Sequence, residues 1–287
     1  MFQGAKETYE MAGNSKPTKK VGSPNTTIRV TPTGVIPGAP WSLAPLVPNA
    51  VASERNEQEL EIDLEALEQY QEFSAGINQV LQKYEAAMRE MTVRFEILDR
   101  DLSLKRNRNP IHHIESRIKS PASIYDKLIR YGKTPTIGNL EEYLMDVAGV
   151  RVICSYINDV KSLVGLLRRQ DDLEIVRIKN YIENPKPNGY RSLHAIVRIP
   201  VFFMDSKQMI PVEVQIRTIA MDYWASLEHD LRYKSKSEVG DNEFSEELLA
   251  CSKTLEELEA RMQSLANILD SKPKKDKKGG KKGKDKK

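Results

Sequence analysis

Two short stretches bring together residue types that act on charged ligands. Lys186-Pro187-Asn188-Gly189-Tyr190-Arg191-Ser192-Leu193-His194 comes first, then Val212-Glu213-Val214-Gln215-Ile216-Arg217-Thr218. The second alternates, so a strand turns Glu213, Gln215 and Arg217 to one face and Val212, Val214 and Ile216 to the other. The apolar side can lie on a core. The polar side gathers a carboxylate, an amide and a guanidinium, which are costly to bury and useful around a charged ligand. By the same rule Tyr190, Ser192 and His194 share a face, beside a glycine-containing turn with Lys186. A carboxylate for a metal, cations for phosphates and a ring to stack on a base point to nucleotide chemistry.

Asp146 is the second candidate carboxylate, placed just before a strand-like run where a side chain can reach a cleft at a sheet edge. Mg²⁺ prefers oxygen ligands and commonly takes one or two carboxylates with substrate phosphates. Arg117, Lys119, Ser123, Lys127 and Arg130 cluster around a helix start marked by Ser120-Pro121. Such a cluster is ordinarily a solvated face, but a helix N-terminus with several cations also makes a phosphate site.

These stretches resemble the synthetase domain of the RelA/SpoT family, which makes the alarmones ppGpp and pppGpp. The blocks, in order, are Arg117-Ile118-Lys119-Ser120-Pro121-Ala122-Ser123-Ile124, Asp146-Val147-Ala148-Gly149-Val150-Arg151-Val152, the two stretches above, and Ala220-Met221-Asp222-Tyr223-Trp224-Ala225-Ser226-Leu227-Glu228-His229. The pattern is most similar to the small alarmone synthetases of RelQ type. The resemblance implies a nucleotidyltransferase-like mixed sheet and transfer of pyrophosphate from ATP to the 3′-hydroxyl of GTP or GDP. It implies Asp146 and Glu213 as ligands of Mg²⁺, with Glu213 also the base for the ribose hydroxyl. Arg117 and Arg151 would sandwich the adenine, and Lys119, Ser123, Lys127 and Arg130 would meet ATP phosphates or ribose. Tyr190 would stack on guanine, with Lys186, Asn188 and His194 near the acceptor phosphates and ribose; Lys179, Gln215 and Arg217 complete the acceptor side. Arg177-Ile178-Lys179-Asn180 departs from the Arg-x-Lys-Asp pattern of long family members by ending in Asn. RelQ-type relatives are homotetramers around an alarmone-binding cleft. The stretch preceding Arg117, His112-His113-Ile114-Glu115, does not match theirs, so alarmone regulation is not carried over.

Around these residues the 287-residue chain reads as an α+β domain flanked by long helices. Residues 1–53 are rich in Pro, Gly, Ser, Thr and Asn and read as a disordered extension, with Trp41 the one residue there suited to docking on the body. A helical segment is expected over 54–110: Leu60, Leu64 and Leu67 open a first stripe, and Phe73, Ile77, Val80 or Leu81, Tyr84, Met88, Met91, Phe95, Leu98 and Leu102 continue with spacings of three and four. Residues 111–236 form the expected synthetase domain. It holds helices to about Tyr131, over 139–146, Val160–Arg169 and Ile219–Tyr233, and strands at Gly149–Tyr156, Leu173–Ile182, Tyr190–Ile199 and Met209–Thr218. Residues 243–270 form an amphipathic helix whose Phe244, Leu248, Cys251, Leu255, Leu258, Met262, Leu265 and Leu269 make a heptad seam, either core or oligomer interface.

The formal charge is +3, of which +8 belongs to the ten Lys and two Asp of residues 271–287, leaving −5 for the rest. This tail reads as disordered, or as an arm that could touch RNA. No run of eighteen apolar residues suggests a membrane span, and two unpaired cysteines, Cys154 and Cys251, suit a reducing cytoplasm. Two rival readings remain: a toxin-like relative acting on tRNA 3′ ends, and a non-catalytic nucleotide or RNA sensor, against which the presence of both carboxylates argues.

Overall fold

The computed structural model describes residues 27–30, 52–56, 59–106, 108–235 and 241–270. The expected α+β fold is present: a five-stranded mixed sheet flanked by helices. Strands β4 (Ile111–Ile118), β5 (Ala148–Cys154), β6 (Glu174–Asn180), β7 (Leu193–Phe202) and β8 (Lys207–Thr218) line up in the order β4-β5-β8-β7-β6. The β5–β8 pair is parallel and the other three are antiparallel. A smaller antiparallel sheet, β1 (Thr27–Val30), β3 (Glu59–Asp63) and β2 (Ala52–Asn56), precedes it.

One face of the large sheet is apolar because alternation places Val150, Val152, Val212, Val214 and Ile216 together, and all are essentially inaccessible. Helix α1 (Leu64–Arg106) lies against β4, β5, β7 and β8 on that side. At 1.5 Å per residue its 43 residues reach roughly 65 Å. Its buried stripe, Phe73, Ile77, Tyr84, Ala87, Met91, Phe95 and Leu102, joins the sheet in one core, where each large apolar side chain contributes about 1.5–3 kcal/mol. Helix α4 (Ile157–Leu167) packs on β5 and β8.

Helix α2 (Pro121–Arg130) starts as expected, with Ser120 Oγ accepting the Ser123 N–H and Pro121 in the first turn. Helix α3 (Ile137–Tyr143) is capped by Thr136 and ends three residues before Asp146. Helices α5 (Ile219–Ser235) and α6 (Asp241–Asp270) pack on each other.

Four expectations need correction. The helix does not open at Glu54: residues 52–56 and 59–63 are strands, and α1 begins at Leu64. Leu60, Leu64 and Leu67 have helical spacing, but pairing of β3 with both β1 and β2 overrides it locally. Strand β1 falls within the segment expected to be disordered; Trp41 and the Lys-rich tail lie outside the described residues. Strand β4 was not anticipated, since an edge strand with one neighbour carries a weak pattern. Finally, the heptad seam of α6 divides. Leu248 is buried, but Cys251, Leu258, Met262, Leu265 and Leu269 are exposed, and the inward face runs Leu248, Ser252, Glu259, Ala266. Among the described residues, no helix is long and apolar enough to cross a membrane.

Candidate active site

Register builds the site. Lys179 pairs with His194, His194 with Gln215, Gln215 with Arg151 and Arg151 with Glu115, one residue from each strand of the large sheet. The adjacent row on the same face is Arg177, Ile196, Glu213, Gly149 and Arg117. Paired residues on neighbouring strands face the same way, so the polar side chains of both rows oppose the core. Gly149 sits between Glu213 and Arg117; a Cβ there would meet Arg117 Cγ at 3.7 Å, so its absence leaves the floor open. A cleft of about 180 Å³ results, lined by Glu115, Arg117, Asp146, Arg151, Glu213 and Gln215 among others.

Asp146 enters from the loop between α3 and β5. Its Oδ2 accepts from Lys119 Nζ at 2.7 Å and Lys127 Nζ at 2.5 Å. Its Oδ1 is buried, with no hydrogen-bond partner among the described residues. Burial alone would raise its pKa; the hydrogen bonds and charges of the two lysines outweigh that and hold the carboxyl below its usual range. Burial likewise pushes Glu213 upward, but His194 and Gln215 outweigh it, with Asp146 opposing them, and Glu213 also ends below its usual range. Its Oε1 is 3.3 Å from His194 Nδ1, and its Oε2 accepts from Gln215 Nε2 at 3.0 Å.

Tyr190 connects this carboxylate to the turn. The strand expected from Tyr190 to Ile199 starts later, so Tyr190 lies before β7, which begins at Leu193. Ser192 is also not on the polar face: it is wholly buried, with Oγ directed to the Ile216 carbonyl. Tyr190 still meets His194, its hydroxyl 2.8 Å from Nε2. Arg217 Nη2 donates to the Tyr190 oxygen at 2.6 Å. Tyr190 thus bridges Arg217 and His194, whose other ring nitrogen lies against Glu213. Lys186 Nζ lies over the Tyr190 ring, 4.7 Å from its centroid, and over the Tyr181 ring at 5.1 Å. Asn188 accepts the Tyr190 N–H and donates to Glu228 of α5. Lys179 is exposed on β6, in register with His194.

The cluster around α2 splits. Arg117, Lys119, Ser123 and Arg130 line a second, open cavity of about 820 Å³ beside the first. Lys127 turns instead to Asp146. Arg117 lines both spaces, and Arg151 lines the first while bonding Glu115 at 2.9 Å.

Several contributors escaped sequence reasoning. Glu115 holds Arg151, and Asp222 of α5 binds Arg217 at 3.1 Å and lies 3.8 Å from Arg151. Tyr181 packs edge-on against Tyr190 and His194. Asp222 falls inside a quoted block, five residues after Arg217, and alternation from Arg117 would have found Glu115 had β4 been recognised.

Comparison with known proteins agrees with this geometry. The family pattern described as the region found in RelA/SpoT proteins matches residues 116–238. The GTP pyrophosphokinase YwaC of Bacillus subtilis is 41% identical over 187 residues, covering 65% of this chain and 89% of that protein. The chain belongs to the RelA/SpoT family. Among solved structures of this family, small alarmone synthetase 2 of B. subtilis superposes with a TM-score of 0.59 at 39% identity, covering 66% of this chain and 97% of that one. Small alarmone synthetase 1 of B. subtilis, bound to its product pppGpp, gives 0.60 at 28% identity, covering 67% and 96%. As a RelA/SpoT protein the chain is thus a pyrophosphokinase-type enzyme with a mixed α+β fold.

Proposed function

We propose that the protein moves the terminal pyrophosphate of ATP to the 3′-hydroxyl of GTP or GDP, forming pppGpp or ppGpp and releasing AMP. The observation that carries this reading is the convergence of Asp146 and Glu213 on one cleft, in a chain that matches a GTP pyrophosphokinase over 89% of its length. Glu213, held ionised by His194 and Gln215, takes the proton of the ribose 3′-hydroxyl. The oxygen then bonds to the β-phosphorus, the bond to the α,β-bridging oxygen breaks, and AMP leaves. The family's Mg²⁺ fits the residues here: Asp146 and Glu213 line one cleft and would hold it, Asp146 with a buried Oδ1 that has no hydrogen-bond partner among the described residues, and the ion would supply positive charge to the phosphates being transferred.

Arg117 and Arg151 suit adenine, since planar guanidinium groups stack as lysine cannot. Lys119, Ser123 and Arg130 face the ATP phosphates. Lys127 acts first on Asp146. Tyr190 stacks on guanine, flanked by Lys186, Asn188 and His194, with Lys179, Gln215 and Arg217 behind. Positioning and electrostatics supply most of the acceleration.

The exposed apolar residues of α6 support a homo-oligomer, a tetramer by family resemblance. The +8 tail offers an RNA contact that added salt would weaken steeply. Unpaired Cys154 and Cys251 and nucleotide substrates favour the cytoplasm. Incubation with β-labelled ATP and GTP, GDP or tRNA tests the reaction: labelled pppGpp or ppGpp with stoichiometric AMP is expected, and label in tRNA alone would overturn the reading.

A further inference from the structure

Between β6 and β7 the chain makes a turn, with Lys186 N–H bonding the Tyr190 carbonyl at 3.1 Å and Gly189 N–H bonding the Lys186 carbonyl at 2.8 Å. These bonds close the turn on itself but do not fix it to the sheet. The residues on either side of Tyr190 are instead held by α6, some sixty positions later in sequence. On one side Ser252 Oγ donates to the Gly189 carbonyl at 2.6 Å. Gly189 has φ +90°, and a Cβ added there would lie 2.7 Å from Ser252 Cβ, so turn and helix meet backbone to side chain with no spare room. On the other side Arg191, 6% exposed, reaches Glu259 at 3.1 Å and Glu256 at 3.3 Å.

A helix that needed only to cover the domain would place apolar residues on this face. Here α6 puts Ser252 and the buried Glu259 between Leu248 and Ala266. A buried ion pair is weak evidence for stability, because desolvation offsets most of the attraction; Arg191 Nε in fact has no partner among the described residues, and Glu259 also interacts with the Thr218 side chain at the end of β8. What such a pair does well is fix direction. Helix α6 is itself anchored at both ends. Trp224 Nε1 donates to the Leu248 carbonyl at 2.9 Å, with its ring 6.5 Å from that of Tyr190. Gln263 Oε1 accepts the Asn158 N–H at the start of α4, where Tyr156 makes no side-chain cap.

We propose that α6 is a brace for the acceptor loop, in which Ser252 and Glu259 are positioning residues that set the affinity for the guanine nucleotide. The proposal rests on the reading of this loop as the guanine-nucleotide side of the site. Ser252 and Glu259 touch neither cleft carboxylate; Ser252 acts through Gly189, and Glu259 through Arg191 together with Thr218 at the end of β8.

The test is steady-state kinetics of the full chain with GTP and ATP varied in turn, on Ser252→Ala, Glu259→Gln and, as a separate reference, Tyr190→Ala. Ser252→Ala and Glu259→Gln should each raise the KM for GTP about threefold to tenfold, as expected for loss of one buried hydrogen bond or ion pair. The KM for ATP and kcat at saturating GTP should change by less than about twofold, with Glu259→Asp partly restoring the GTP value. Ser252→Ala removes one oxygen and should fold even if Glu259→Gln does not. An unchanged KM for GTP in Ser252→Ala, or equal rises for GTP and ATP, overturns the brace. Tyr190→Ala judges the underlying reading separately: it should raise the KM for GTP about tenfold to a hundredfold, by loss of base stacking. An unaltered KM for GTP there would remove Tyr190 from the guanine site, while the α6 variants alone decide the brace.

Discussion

Glu213 sits where four influences act on one proton: burial and Asp146 raise its pKa, and His194 and Gln215 lower it. Replacing it by Gln keeps volume and the bond with Gln215 available, while removing the base. Glu213→Gln should therefore lower kcat by at least about a hundredfold, within the range for a positioned acid–base group, and leave Tm within a few degrees. Near-normal turnover would take Glu213 out of the chemistry. The same arithmetic gives a pH prediction for Asp146. A carboxyl whose folded pKa is depressed stabilises the protein above its unfolded value, and that contribution is lost as pH falls through the folded value. Lys127→Met removes one of the two lysines that hold Asp146 down, so the ligand-free protein should be less stable near neutrality and lose less of its stability through Asp146 as pH falls, giving a shallower acid limb. Thermal unfolding from neutrality to below pH 4 measures this, and coincident acid limbs for both proteins would contradict it. Glu213 and Gln215 were legible because strand alternation is local. The partners Glu115, Asp222 and Tyr181 were not, because register across five strands is a property of the fold and not of any one segment.

At the scale of elements, periodicity located most helices and strands and misjudged edges. Strand β7 begins three residues after Tyr190, so the face shared by Tyr190 and His194 comes from a turn and a hydroxyl–imidazole contact. Leu60 to Leu67 has helical spacing, yet residues 59–63 pair with β2 just before them and with β1, about thirty residues upstream. The junction after α1 depends on one ion pair that sequence could not suggest. Asp159, fully buried in the first turn of α4, takes two bonds from Arg108, whose guanidinium stacks 4.9 Å from the centre of the Tyr156 ring. Neutralising Asp159 leaves Arg108, whose side chain is 24% exposed, facing an amide in place of a carboxylate, and breaking a pair with one fully buried member is strongly destabilising. Asp159→Asn should cost about 3 kcal/mol in urea unfolding with an unchanged slope; a loss well under about 1 kcal/mol would mean that the neighbouring groups, and not this pair, hold α4 to α1.

For the molecule as a whole, α6 faces two ways. Its inner side packs on the acceptor loop, while Leu258, Met262, Leu265 and Leu269 remain 50–68% exposed along its outer side. Their spacing of four, three and four is that of a helix–helix seam, and a run of large apolar residues this long is unusual on a free surface. The sequence made this seam visible but not its division, because a heptad pattern does not say which of two neighbours covers it. Pairing with α6 of a second copy would bury it and fits the proposed oligomer. Joint replacement Met262→Lys and Leu265→Glu should then reduce the mass measured by sedimentation to that of a smaller species. Neither residue belongs to the buried core, so far-ultraviolet circular dichroism should be preserved. The magnitude follows from area: removing two large apolar contacts per chain forfeits a few kcal/mol of association, enough to move a micromolar assembly into dissociation at working concentration. A native mass unchanged in the double variant would assign assembly to another surface, and would leave the outer side of α6 without a partner.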